Sequence, residues 1–271
     1  MTTDSWASGD FGFFSISFLI GLSSGGDGET DWLFTKGLYD NGVISQNMFS
    51  FSLKDMAEET TRGTSFIDFG PPDESAITDL SDLVWLDVIS GDPYWANYVR
   101  GLRFGGLSDD IDADFVFSTK RAYIDTTSTC IKGPREEVDF IHLALIDVVD
   151  TYTEQENTVF TYFFDCSRNA DKFKSIYFLF GDHWFEMTPE QYLYFGTFSI
   201  NCSFCIFGYD DYDYWVLGSN FLRDWYSVHD YDNQKFGFVP QINSARSSPD
   251  PVTEEPTRSI YSYRNELKQL R

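Results

Sequence analysis

The sequence predicts a mainly β fold with a few short helices, and three observations carry that expectation. Aromatic residues are abundant, with 27 Phe, 16 Tyr and 7 Trp in 271 residues, and flat rings pack well on pleated surfaces. Several short segments alternate apolar and polar side chains with the period of a strand. Gly, Asp and Pro separate those segments at short intervals, as in sandwiches and barrels. A hydrophobic fraction of 42% is ordinary for a globular chain, and the length suits one large domain or two moderate ones.

In chain order, an apolar run at residues 11–22 leads into a Ser/Gly loop at 23–28. Residues 31–39 have the pattern of a short amphipathic helix, ended by Asp40-Asn41-Gly42, which tolerate left-handed geometry. Met48-Phe49-Ser50-Phe51-Ser52-Leu53 and Ser65-Phe66-Ile67-Asp68-Phe69 alternate as strands. Gly70-Pro71-Pro72 and the acidic stretch after it mark an internal boundary near residues 70–80. Short strands are then expected at 83–89, 94–102, 115–117 and 122–124. Pro134 opens a helix whose first turn holds Glu136 and Glu137, and its apolar residues run through Val149. Strands resume at 159–164 and 175–180, and residues 226–229 and 235–239 flank a turn as a hairpin. Residues 241–257 shift to Ser, Pro, Thr and charge and are expected to be disordered, with 261–271 a frayed tail.

The chain carries 19 Lys and Arg against 43 Asp and Glu, a net charge of −24. A surface this negative repels phosphate backbones and anionic lipids, so no nucleic acid or membrane partner is expected. Its self-repulsion falls at low pH, which suits an acidic compartment as well as it suits a plainly solvated surface. The opening residues lack the basic start of a secretory leader, and the interrupted apolar run is too short for a membrane span.

Cys130, Cys166, Cys202 and Cys205 permit two disulfides. Cys202-Ser-Phe-Cys205 lacks a second pair at zinc-site spacing, and His142, His183 and His229 match no ligand pattern, so neither metal nor cofactor is implied. Asn201-Cys202-Ser203 is also the acceptor pattern for N-linked glycans, weakened if its central cysteine is bridged. Gly21-Leu22-Ser23-Ser24-Gly25 mimics a nucleophile elbow, but Gly26-Asp27-Gly28 continues a loop instead of a helix. Asp27, Glu29 and Asp31 mimic alternate calcium ligands without the glycine such a loop needs, and Asp210, Asp211 and Asp213 suit a solvated loop. Gly101–Gly106 lacks the strand-to-helix setting of a dinucleotide loop.

Three segments in order carry a resemblance to a known family. The first runs from Phe18-Leu19-Ile20-Gly21-Leu22 to Asn41-Gly42-Val43-Ile44-Ser45-Gln46-Asn47-Met48-Phe49-Ser50-Phe51. The second is Ala122-Tyr123-Ile124-Asp125-Thr126-Thr127-Ser128, continuing to Gly133-Pro134. The third is Trp215-Val216-Leu217-Gly218-Ser219-Asn220-Phe221-Leu222-Arg223, with Val228-His229-Asp230 and Phe236-Gly237-Phe238 beyond it. Together they resemble the pepsin-like aspartic endopeptidases, with Asp125-Thr126-Thr127 in place of that family's Asp-Thr-Gly.

The resemblance implies a pepsin-like acid protease fold. Residues 1–79 look like a remnant of the N-terminal lobe, 80–240 like a complete C-terminal lobe, and 241–271 like a flexible tail. It implies peptide or protein as substrate or ligand, and a secreted, lysosomal or vacuolar location. The family activates water with two aspartates that share a proton. Asp125 is the C-terminal-lobe member by resemblance, with Thr126 expected to hydrogen-bond across the lobes and Ser128 to donate to the Asp125 carboxylate. Cys166 and Cys202 fit the family's C-terminal-lobe disulfide, leaving Cys130 and Cys205 unassigned. Two departures matter. Thr127 replaces the glycine and is expected to crowd the loop, at ~1–3 kcal/mol of strain. The printed sequence holds no second Asp-Thr-Gly or Asp-Ser-Gly. A symmetric dimer supplying two copies of Asp125 fits poorly with the retained residues 18–75. The expected activity is therefore an aspartic endopeptidase impaired in this chain alone, the alternative being a noncatalytic peptide- or protein-binding relative.

Overall fold

A computed structural model describes residues 22–25, 33–54, 65–105, 114–147, 149, 152–156, 160–195, 201–244 and 246–261. Residues 11–21, the Asp27-Glu29-Asp31 set and the tail beyond 261 lie outside them. After a helix at Phe34–Asp40 come β1 (Met48–Ser52), β2 (Phe66–Phe69), β3 (Val84–Asp87), β4 (Ala96–Phe104), β5 (Asp114–Ile124) and β6 (Ile131–Pro134). The helix Arg135–Ile146 follows, then β7 (Tyr152–Glu156), β8 (Phe160–Asp165), β9 (Ile176–Phe180), β10 (His183–Met187), β11 (Leu193–Phe195) and β12 (Asn201–Phe204). The last strands are β13 (Ile206–Tyr209), β14 (Trp215–Leu217), β15 (Trp225–Asp230), β16 (Lys235–Pro240), β17 (Asp250–Pro251) and β18 (Arg258–Ser259).

The strands form two sheets. A five-stranded sheet runs β2-β1-β15-β16-β3, and a larger sheet runs β11-β12-β8-β13-β6-β14-β5-β4-β9-β10-β17. The smaller sheet unites strands from before and after the Gly70-Pro71-Pro72 turn, because β1 pairs antiparallel with β15. Alternation in Met48–Ser52 would leave one face wet, yet all five residues are buried. The reason is a cover on both faces. Phe49 and Phe51 join the main core, while Ser50 Oγ lies 2.8 Å from Tyr226 Oη beneath a second cluster of Met48, Ile77, Val228 and Val239.

Residues 115–117 and 122–124 are one strand, not two. β4 pairs with β5 along most of its length, with a register shift between Val99 and Gly101. That irregularity requires glycine: a Cβ on Gly101 would sit 2.9 Å from Phe115 O. The helix after Pro134 ends at Ile146, a turn earlier than its apolar run suggests. Glu137 is fully buried and accepts from Trp215 Nε1 at 2.9 Å, so it serves packing as well as the helix start. All four cysteines are bonded, as Cys166–Cys202 and Cys130–Cys205.

The stretch expected to be disordered is packed. β17 pairs with β10, and β18 adds in parallel to β5. Arg246, 5% exposed, lies 4.7 Å from the Trp225 ring and donates to the carbonyls of Glu186 and Phe221. Burial pushes its pKa down to about 9, which still leaves it charged at neutral pH. Composition misled here because one charged anchor with aromatic partners does what several apolar residues do elsewhere. Replacing it, Arg246→Ala, strands two buried carbonyls and is expected to lower stability by roughly 2–4 kcal/mol. Urea unfolding checks this, and an unchanged midpoint would show that the segment does not anchor the sheet.

Two histidines are buried as neutral bases. His229 stacks on Phe49 with ring centres 4.4 Å apart and lies 2.8 Å from Ser227 Oγ. Burial lowers its pKa to about 3, and that of His142 to about 4. An unfolded histidine takes its proton near pH 6.5, and these folded ones refuse it, so the unfolded chain binds more protons in between. Their contribution to stability is therefore intact above about pH 6.5 and falls as pH drops toward 4, by ~3 kcal/mol for His142. His229→Phe should flatten the loss of stability between pH 7 and 4 relative to the parent, read as melting temperature against pH. Parallel curves for the two proteins would refute this assignment.

Candidate active site

Asp125 follows directly on β5, and its position is set from below by β14. Trp215, Val216 and Leu217 pair in parallel with Ala122, Tyr123 and Ile124, and Asp125 N donates to Leu217 O at 3.1 Å. The chain then turns tightly. Thr127 N and Thr127 Oγ1 both donate to Asp125 Oδ1, at 2.9 and 2.6 Å. The same local pattern recurs at Asp73 with Ser75, Asp79 with Ser81, and Asp165 with Ser167. An Asp followed two residues on by Ser or Thr is thus a repeated turn device in this chain.

That geometry corrects two expectations. Thr127 does not take a left-handed conformation, since among the described residues positive φ outside glycine occurs at Asp224, Gln234 and Asn243. Its side chain is accommodated by turning the hydroxyl onto the carboxylate. Ser128 is buried, but its Oγ donates to Cys130 O at 3.0 Å instead of to Asp125. Thr126 is exposed, and no hydrogen bond of its side chain occurs among the described residues. Asp125 Oδ2 likewise accepts no protein hydrogen bond there, and Oδ1 accepts from Thr127 alone.

The loop is clamped on its buried side. Ser219 N donates to Ser128 O at 2.7 Å, and Asn220 N to Thr129 O at 2.9 Å. Cys130 is bonded to Cys205, whose carbonyl accepts from Asn220 Nδ2 at 3.0 Å. Gly218 makes this approach possible, because a Cβ there would lie 2.5 Å from Cys130 O and 2.6 Å from Ser128 O.

Beside Asp125 runs a row of tyrosines that the sequence motifs did not single out. Tyr209 stacks on Tyr212 at 4.7 Å and Tyr212 on Tyr214 at 4.6 Å. Tyr214 meets the edge of Tyr123 at 5.3 Å, and Tyr123 that of the exposed Tyr94 at 5.5 Å. Burial, with Tyr212, Asp211 and Tyr123 nearby, pushes the Tyr214 phenol up to about 12. Tyr212 is raised too, by burial first and then by neighbours that include Asp211 and Asp125. The Tyr212 and Tyr214 phenols therefore stay neutral in acid and at neutral pH. Tyr98, Thr119, Arg121 and Asp213 complete a polar cleft with Tyr123 and Tyr214. The alternation Tyr209-x-x-Tyr212-x-Tyr214 was the available signal, hidden because it reads as an acidic loop.

Other sequence patterns are not brought to this site. Ser23 Oγ donates to Pro93 O at 2.7 Å, so no histidine activates it. His142 and His229 are in the core, and His183 lies 2.7 Å from Asp182 Oδ1. No group of three or more His, Cys, Asp or Glu suited to a metal ion occurs among the described residues, and no helix there is long and apolar enough to cross a membrane.

Comparison with known proteins agrees with this architecture. The chain is 23% identical to aspartic protease 6 of Caenorhabditis elegans over 206 residues, covering 75% of this chain and 48% of that protein. It is 26% identical to gastricsin of Cavia porcellus over 227 residues, covering 81% of this chain and 51% of that one. With plasmepsin VIII of Plasmodium berghei (strain Anka) identity is 24% over 232 residues, covering 80% and 57%. The chain thus spans about half the length of the curated relatives it matches. The family model of the eukaryotic aspartyl proteases matches residues 15–241, most of the sequence, and its pepsin-like fold accounts for the mainly β structure. The chain belongs to the eukaryotic aspartyl protease family.

Proposed function

We propose that this chain supplies one carboxylate, Asp125, of a two-carboxylate peptide-hydrolysing centre, and that alone it binds peptides without cleaving them. One observation carries this: among the described residues the Asp125 carboxylate accepts hydrogen bonds only from its own turn, through Oδ1. Aspartic endopeptidase chemistry needs a second carboxylate close enough that only one of the two ionises. The ionised member takes a proton from water while the other protonates the peptide carbonyl. Asp125 Oδ2 is the oxygen free to hold that water. The tyrosine row supplies flat apolar faces and neutral phenol donors along which a peptide can lie.

In the same proposal residues 1–79 are the latter part of an N-terminal lobe, and residues 80–240 a C-terminal lobe. Thr126 and Ser128 act as supports of the Asp125 loop, Ser128 through Cys130 O. Two disulfides suit an oxidising compartment, in keeping with a secreted, lysosomal or vacuolar site. A permanently noncatalytic binder is the second reading. It is favoured by the Thr127 hydroxyl on Oδ1 and by the Ser128 hydroxyl turned away from the carboxylate.

The test is peptide turnover at acid pH by the chain alone, paired with peptide binding measured by fluorescence anisotropy. Binding without turnover is expected. Turnover that disappears in Asp125→Asn would sink the noncatalytic reading of the isolated chain, and neither binding nor turnover would sink both readings. Gly218→Ala pushes a methyl group against two backbone carbonyls beneath Asp125, so it should cost about 1–3 kcal/mol of stability. It should also weaken peptide binding at least tenfold. Wild-type affinity in a folded Gly218→Ala protein would separate the Asp125 loop from the binding surface.

A further inference from the structure

We propose that Asn201 carries an N-linked glycan that guards the β11 end of the larger sheet. The acceptor pattern Asn201-Cys202-Ser203 opens β12, and its three residues differ sharply in exposure. Asn201 is exposed, whereas Cys202 is 1% and Ser203 7% exposed. The residue to be modified is therefore exposed in the finished fold, while the serine whose hydroxyl recognition requires is buried. Recognition must come before β12 pairs with β8 and before Cys166 bonds Cys202. Attachment during synthesis satisfies that order.

The location gives the glycan a purpose. β11 is the terminal strand of the sheet path, joined to β12 through Leu193–Phe204, Tyr194–Ser203 and Phe195–Cys202. Asn201 lies one position past the last of these pairs. β11 has the sequence Leu-Tyr-Phe, with Tyr194 51% exposed and neither charge nor proline on the strand. An edge strand without charge or proline can template pairing with another chain; the three-residue length of β11 limits this, and a cover would block it. A hydrated oligosaccharide beside it would supply that cover.

The chemistry needs a lipid-diphosphate-linked oligosaccharide, present in the secretory pathway where the two disulfides also form. The Asn201 amide nitrogen bonds to C1 of the sugar as the C1–O bond to the lipid diphosphate breaks. The nitrogen loses one proton, the lipid diphosphate leaves with the bonding electrons, and nothing is oxidised or reduced. The inference rests on the oxidising-compartment part of the proposed function and is independent of whether Asp125 catalyses.

The experiment expresses the chain in the secretory pathway of cultured mammalian cells and treats it with peptide-N-glycosidase F. A single downward mobility shift is expected, with Asn201 converted to Asp in the peptide mass spectrum. Asn201→Gln should abolish the shift, and Ser203→Thr, which keeps the acceptor pattern, should retain it. No shift in the parent protein, or a shift that survives Asn201→Gln, overturns the site. For the guarding role, light scattering of the enzymatically deglycosylated protein should rise on concentration. Equal scattering with and without the sugar overturns that role, and peptide binding by both forms reads the Asp125 cleft separately.

Discussion

Two backbone segments some ninety residues apart are zipped together, and the rest of the candidate site depends on that contact. β14 lies parallel to the end of β5, and the amides of Ser219 and Asn220 reach the carbonyls of Ser128 and Thr129. A parallel pair cannot be closed by a short turn, so the intervening chain must travel round the body of the protein and return. Everything between residues 130 and 214 is that journey. The Cys130–Cys205 bond fastens its start to a point near its finish. The position of Asp125 is in this sense a property of the whole larger sheet, not of the local motif.

The smaller sheet imposes a second constraint. His229 stands in the middle of it, opposite Phe49 on one side and Phe236 on the other. Its imidazole is used as a flat ring among aromatics, with one hydroxyl contact from Ser227. A neutral imidazole packs there as an aromatic would, whereas a charged one would have to be desolvated without a counter-ion. A family member with an acidic surface thus carries, at its centre, groups that refuse a proton and cost stability in acid. Surface and interior respond to protons in opposite senses.

Much of the fold was legible because period and punctuation are local. The alternation in residues 48–53 and the hairpin around residues 230–234 were readable, as was the helix opened by Pro134. What was not legible depends on partners distant in sequence. No local pattern says that both faces of β1 are covered, or that β4 bridges the two halves of β5. Of the site, Asp125 and its neighbours could be located by motif, but the direction of the Ser128 hydroxyl could not. The tolerance of Thr127 was not legible either: its bulk speaks against the glycine position, whereas a hydroxyl two residues beyond an aspartate can bond to it.

The match to the aspartyl protease family model ends at residue 241, and the folded body does not. Residues 246–261 return across it, with Glu255 paired to Arg100, Asp250 to Arg103, and Tyr261 Oη donating to Glu137 at 3.2 Å. The family match and the folded body therefore have different borders in this molecule. A protein trimmed to the matched portion would uncover faces of Phe221 and Trp225 that are now closed by a guanidinium. It would also leave the carbonyl of Glu186 on β10, and that of Asp182 just before it, without the donors that Arg246 and Val252 now bring.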